Sequence, residues 1–121
     1  MFSVMLKAKL HMATVTESDP DYEGSLSIDE DFMDAVKLAP YEKILVANLR
    51  NGSRFETYAI PGSRGSGVIG LNGPATHQGS VGDRLVILSF CLVPTGEILR
   101  HKPRVLVLGE GNRPVGGVRE L

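Results

Sequence analysis

Asn51-Gly52 stands between two strand-like runs, Ile44 to Leu49 and Arg54 to Ile60. A glycine that accepts positive φ at a tight turn, flanked by such runs, commits the middle of the chain to a β-hairpin. Other strand-like runs follow the same logic. From Leu6 to Val15 the residues alternate, with Leu6, Ala8, Leu10 and Met12 on one face and Lys7, Lys9 and His11 on the other. Val68 to Leu71, Leu85 to Val93 and Val105 to Leu108 complete the set. They are separated by Pro61 to Gly67, Asn72-Gly73-Pro74 and Pro94-Thr95-Gly96.

One helix is signalled. Ser27 with Glu30 three residues later reads as a capping box, and Ile28, Phe32, Ala35 and Val36 form an apolar stripe that Ala39-Pro40 stops. Before it lies an acidic loop, Glu17 to Gly24, broken by Pro20. The stretch 109–121, rich in Gly, Pro and charge, is expected to be a mobile tail. The fold class is therefore mainly β: one small barrel with one main helix, in a single domain over 1–121.

Size and charge narrow the function. With 121 residues there is room for one modest core, and a 42% apolar fraction excludes disorder as the main reading. Thirteen basic against fourteen acidic residues leave no electrostatic footprint for nucleic acid or an anionic membrane. Cys91 is the sole cysteine, which fits a reducing compartment, and no stretch has the apolar length of a membrane span. A cytoplasmic protein is expected.

Three chemical signals fall away. Gly65-Ser66-Gly67-Val68-Ile69-Gly70 spells GxGxxG, but a strand rather than a helix follows, so no helix N-terminus is available to a pyrophosphate. His11, His77 and His101 are far apart and lack metal-ligand spacing, so no metal is expected. Cys91 sits within an apolar run and reads as an inert thiol.

What remains is Gly24-Ser25, placed between the acidic loop and the helix. An isolated Gly-Ser pair is ordinary loop sequence. Here it belongs to an ordered series: Lys9-Leu10-His11, Ala13-Thr14-Val15-Thr16, Tyr22-Glu23-Gly24-Ser25, Ile28-Asp29, Asn51-Gly52, Glu56-Thr57-Tyr58, Arg64-Gly65-Ser66-Gly67 and Leu71-Asn72-Gly73. From about Met5 to Leu108 the chain resembles the pyruvoyl-dependent L-aspartate α-decarboxylases of pantothenate synthesis.

That resemblance implies a double-psi β-barrel assembled as a homotetramer, with active sites between subunits. It implies self-cleavage between Gly24 and Ser25 into a β chain (1–24) and an α chain (25–121), with or without a maturation factor. Ser25 would act first as nucleophile on the Gly24 carbonyl, then become a covalent pyruvoyl group, an electron sink of the pyridoxal type. Thr57 would stabilise the oxyanion of processing, and Tyr58 would be the proton donor, a role suited to a phenol, which is protonated at neutral pH in water. Asn72, Gly73, Pro74 and Ala75 match a substrate-binding turn, although Pro74 has no N–H to donate. Lys9, His11 and Tyr22 are further candidates for contact with substrate.

Arg54 suits the β-carboxylate that aspartate retains, because its planar fork can accept a carboxylate with two hydrogen bonds. Strand alternation places Arg54 and Tyr58 on one face and Thr57 on the other, so a bulge, a twist or a second subunit is expected to bring them together. Two rival readings remain: a non-catalytic β-barrel module for binding or assembly, and a pyruvoyl enzyme for another amino acid.

Overall fold

The hairpin centred on Asn51-Gly52 forms in the computed structural model, which describes residues 1–121. β4 (Lys43–Asn48) and β5 (Arg54–Gly62) pair antiparallel from Lys43↔Tyr58 to Ala47↔Arg54. Leu49 to Gly52 make the turn, Asn48 N–H donates to the Ser53 carbonyl at 2.8 Å, and Gly52 supplies the positive φ of 72°.

Around this hairpin lie β1 (Phe2–Thr14), β2 (Glu17–Asp19), β3 (Leu26–Asp29), β6 (Ile69–Asn72), β7 (Arg84–Pro94), β8 (Arg104–Val107) and β9 (Arg119–Glu120). They form one sheet in the order β2-β6-β3-β5-β4-β7-β1-β8-β9, not closed by hydrogen bonds. A single α-helix, α1 (Glu30–Val36), and three short 3-10 turns (Gly73–His77, Thr95–Arg100, Glu110–Asn112) complete the chain. The architecture is mainly β with one main helix, as expected of a small double-psi barrel. Leu26 of β3 faces Leu71 of β6, and both are fully buried. Burial of that kind contributes about 1.5–3 kcal/mol per side chain.

Two local expectations are corrected. The first concerns Met12: β1 carries register shifts between Leu6 and Ala8 and between His11 and Ala13, and Met12 takes φ 68°. The inserted residue slips the alternation by one, so Ala13 takes the buried face that Met12 was expected to share. The second concerns the helix start. Ser27 and Ile28 belong to β3, and Asp29 is the N-cap, its carboxylate accepting from Asp31 N–H at 2.8 Å. The helix ends at Lys37 in the left-handed conformation, three residues before Pro40, and buries Phe32, Met33 and Val36.

Beyond β8, β9 pairs with β8, and Asn112 is buried, exchanging hydrogen bonds with both Thr14 backbone groups and donating to the Gly67 carbonyl. One buried amide therefore satisfies three backbone groups that would otherwise be left unpaired.

Candidate active site

Ser25 lies at the mouth of β3, one residue before the pairs Leu26↔Ala59 and Leu26↔Leu71. It is almost completely buried, at 2% exposure. Gly24 has φ 60° and Ser25 has φ 91°. The glycine holds that conformation freely; the serine does so at a cost of about 1–3 kcal/mol, which its surroundings must offset.

The neighbours that impose this conformation can be named. Asn72 Nδ2 donates to Ser25 Oγ at 3.2 Å and to Ser27 Oγ at 2.9 Å, and Asn72 N–H donates to the Ser25 carbonyl at 3.2 Å. Gly24 N–H donates to the Tyr22 carbonyl at 2.8 Å, and the Tyr58 hydroxyl donates to the Glu23 carbonyl at 3.2 Å. Gly73 presses against the same loop: a Cβ there would stand 2.6 Å from Gly24 N and 2.7 Å from the Tyr22 carbonyl oxygen. Only glycine permits this approach.

A cavity of about 330 Å³ opens in front of Ser25, walled by Gly24, Ser25, Phe55, Glu56, Thr57, Tyr58, Asn72, Pro74, Ala75 and Gln78. Thr57 and Tyr58 share it without the expected bulge, since the β4–β5 register is regular. The reason lies in the sheet. β5 pairs with β3 only over Ala59 to Gly62, so one edge of its Arg54 to Tyr58 half is free of a strand partner, on the side from which Gly24-Ser25 enters β3. A cavity along a strand edge can be lined by residues of both faces. Pro74 sits early in its 3-10 turn, where a missing N–H leaves no acceptor unpaired.

Other expected residues stand apart within one chain. Arg54, Lys9, His11 and Tyr22 are not on the wall, and Gly73 backs it. His11 lies on β1 between Val86 and Val107, and its buried Nδ1 has no hydrogen-bond partner. Burial first, then the nearby Lys9 and Arg119 cations, lower its pKa and favour neutral imidazole. Phe55, Glu56 and Gln78 were not anticipated. The first two follow from the free β5 edge, whereas Gln78 belongs to no motif.

The GxGxxG segment is also explained. Gly65 and Gly67 N–H groups donate to the Asp29 carboxylate at 3.1 and 2.8 Å, so the loop already holds an anion of its own chain, and β6 follows it. A larger cavity of about 510 Å³ lies between α1, this loop and the tail, away from Ser25.

A second polar network supports the far wall of the Ser25 cavity. The Asp83 carboxylate accepts from Arg50 Nε at 2.7 Å and from Asn48 Nδ2 and Ser80 N–H, both at 2.9 Å. The Arg50 hydrogen bond foremost, then those of Asn48 and Ser80, pull its pKa down to about 2. Asn48 also donates to the Gln78 carbonyl at 3.2 Å.

A strained, buried hydroxyl sharing one cavity with a phenol, a second hydroxyl and an amide defines a small β-barrel enzyme rather than a passive module. Comparison with known proteins makes the class specific: the aspartate decarboxylase family profile matches residues 1–115. Aspartate 1-decarboxylase of Ralstonia nicotianae is 52% identical over 109 residues, covering 90% of this chain and 91% of that protein. Aspartate 1-decarboxylase of Shouchella clausii is 51% identical over 115 residues, covering 95% and 91%. That of a Geobacillus species is 46% identical over 113 residues, covering 93% and 89%. The chain belongs to the aspartate decarboxylase family.

Proposed function

We propose that the chain cuts itself between Gly24 and Ser25, converts Ser25 to a pyruvoyl group, and decarboxylates L-aspartate to β-alanine and carbon dioxide for pantothenate synthesis. The observation that carries this reading is the Gly24-Ser25 junction itself. Both residues hold positive φ, and the buried serine opens on a cavity shared with Thr57 and Tyr58.

The processing step uses groups already gathered. Ser25 Oγ attacks the Gly24 carbonyl carbon, the C–N bond breaks, and the acyl group passes to oxygen as an ester. Strain released from Ser25 favours the shift. Thr57, on the cavity wall, is the hydroxyl that supports the transient oxyanion. Elimination of the ester frees the Gly24 carboxylate and leaves dehydroalanine, which water converts to the pyruvoyl group and ammonia.

The residues suit such a group: its place is buried, Asn72 Nδ2 would hold it, and the cavity admits a small amino acid. When present, the pyruvoyl group supplies an electron sink for the pair left behind as carbon dioxide departs. Tyr58, on the same wall, donates the proton to the former α-carbon. We extend the proposal to a cytoplasmic homotetramer, in which Arg54, Lys9 and His11, off the cavity wall of their own chain, would serve a site completed between subunits. A maturation factor would accelerate the cut without changing its chemistry.

Denaturing mass spectrometry tests the first step. The mature protein should appear as fragments 1–24 and 25–121, and Ser25→Ala should stay whole. A wild-type chain that remains intact after prolonged warming would refute self-processing. Carbon dioxide release from aspartate, with glutamate as control, tests the second.

A further inference from the structure

We infer that Gln78 binds the carboxylate that the substrate keeps, and so helps select an acidic amino acid. This rests on the decarboxylase reading and adds a residue to it. Gln78 closes the 3-10 turn Gly73–His77, its N–H donating to the Ala75 carbonyl at 3.0 Å. Its own carbonyl accepts from Asn48 Nδ2 at 3.2 Å and from Asn51 Nδ2 at 3.1 Å. Its side-chain Oε1 accepts from the Ser53 hydroxyl. Three residues of the β4–β5 turn therefore fix both the backbone and the amide of Gln78.

The consequence is chemical. An amide has one acceptor oxygen and a donor NH₂; with Oε1 committed to Ser53, the NH₂ is what Gln78 offers to the cavity it lines. Several other wall groups are already engaged: Asn72 Nδ2 serves Ser25 and Ser27, the Tyr58 hydroxyl serves the Glu23 carbonyl, and the Glu56 carboxylate pairs with Lys43 Nζ at 3.1 Å. A fixed donor loses little freedom on meeting an anion, which makes Gln78 the wall's prepared amide for a carboxylate. A grip on the departing carboxylate would stabilise the ground state, so the retained one is the productive partner.

Gln78→Glu and Gln78→Met in the processed enzyme test this. The glutamate keeps an acceptor for Ser53 but loses the donor and adds a negative charge; the methionine removes both donor and acceptor without adding charge. Each variant is assayed after its own self-cleavage is complete, so that only processed enzyme is compared. KM for aspartate should rise about tenfold or more, the scale of a lost hydrogen bond to a charged group, with kcat changed by less than about threefold. β-Alanine retains only the carboxylate in question, so its inhibition constant should rise by the same factor. An unchanged KM in Gln78→Met, or a raised KM with unaltered β-alanine inhibition, would overturn the assignment. Wild-type protein that cleaves but releases no carbon dioxide from aspartate would sink the decarboxylase reading itself, and this assignment with it.

Discussion

Asn72 holds Ser25 from both sides, donating from its side-chain amide to Ser25 Oγ and from its backbone N–H to the Ser25 carbonyl, each at 3.2 Å. The side-chain bond points the serine oxygen, while the backbone bond fixes the peptide that carries it. Asn72→Ala keeps the second and removes the first, leaving Ser25 and Ser27 hydroxyls short of a partner in a buried place. The expected outcome is a folded chain, less stable by about 1–3 kcal/mol, whose self-cleavage is slower by about tenfold to a hundredfold. The fraction of 25–121 fragment over time measures it; an unchanged half-time would remove Asn72 from the processing geometry.

Two glycines meet at the proposed cleavage loop and should respond differently to an added methyl group. A Cβ on Gly24 would meet nothing within 4 Å, so Gly24→Ala pays only for φ 60°, about 1–2 kcal/mol. A Cβ on Gly73 would strike the backbone of Tyr22 and Gly24. Gly73→Ala should therefore displace the scissile peptide and block processing, whereas Gly24→Ala should fold and still cleave, more slowly. Equal cleavage rates in the two variants would show that the close approach of Gly73 does not shape the loop.

The proposed mechanism gives Tyr58 a part in turnover and none in processing. Its hydroxyl donates to the Glu23 carbonyl, next to the cut but not at its reacting atoms. Tyr58→Phe should cleave within about fivefold of wild type, since a single exposed hydrogen bond contributes about 1 kcal/mol or less. Loss of a general acid should then lower kcat for aspartate by about a hundredfold or more. A cleaved Tyr58→Phe enzyme with undiminished carbon dioxide release would exclude the phenol as proton donor.

What could be read in advance was whatever depends on local chemistry. Asn51-Gly52 turns a hairpin because glycine provides the φ it needs, and Gly65-Ser66-Gly67 fails as a nucleotide loop because a strand follows. Ser27 misled because Ser-x-x-Glu marks a cap only where the chain is free to start a helix; pairing with β5 and β6 claims Ser27 and Ile28, and capping passes to Asp29. Met12 misled for a related reason: a bulge is set by its partner strand, which local alternation does not record. Thr57 and Tyr58 seemed to need a bulge because alternation describes strand faces, while this cavity lies along an edge. Gln78 had no local signature at all: its three partners are 25 to 30 residues away in sequence.

Acid should withdraw the stabilisation that Asp83 provides. Its folded pKa of about 2 lies below the reference value of 3.8, so the folded state binds its proton less readily than the unfolded chain. The stabilisation is therefore complete above about pH 4 and is lost as pH falls through the folded value near 2. Other carboxylates titrate in the same range, so the informative quantity is the difference between wild type and Asp83→Asn. In urea unfolding, wild type should be the more stable above pH 4, and the gap should narrow steadily towards pH 2. A gap independent of pH would mean that Asp83 acts by shape rather than by charge. The same acid step withdraws a partner from Asn48, which also holds the Gln78 carbonyl. Asp83→Asn at neutral pH should consequently raise KM for aspartate by a smaller factor than Gln78→Glu, because it loosens the support of the amide without deleting its donor.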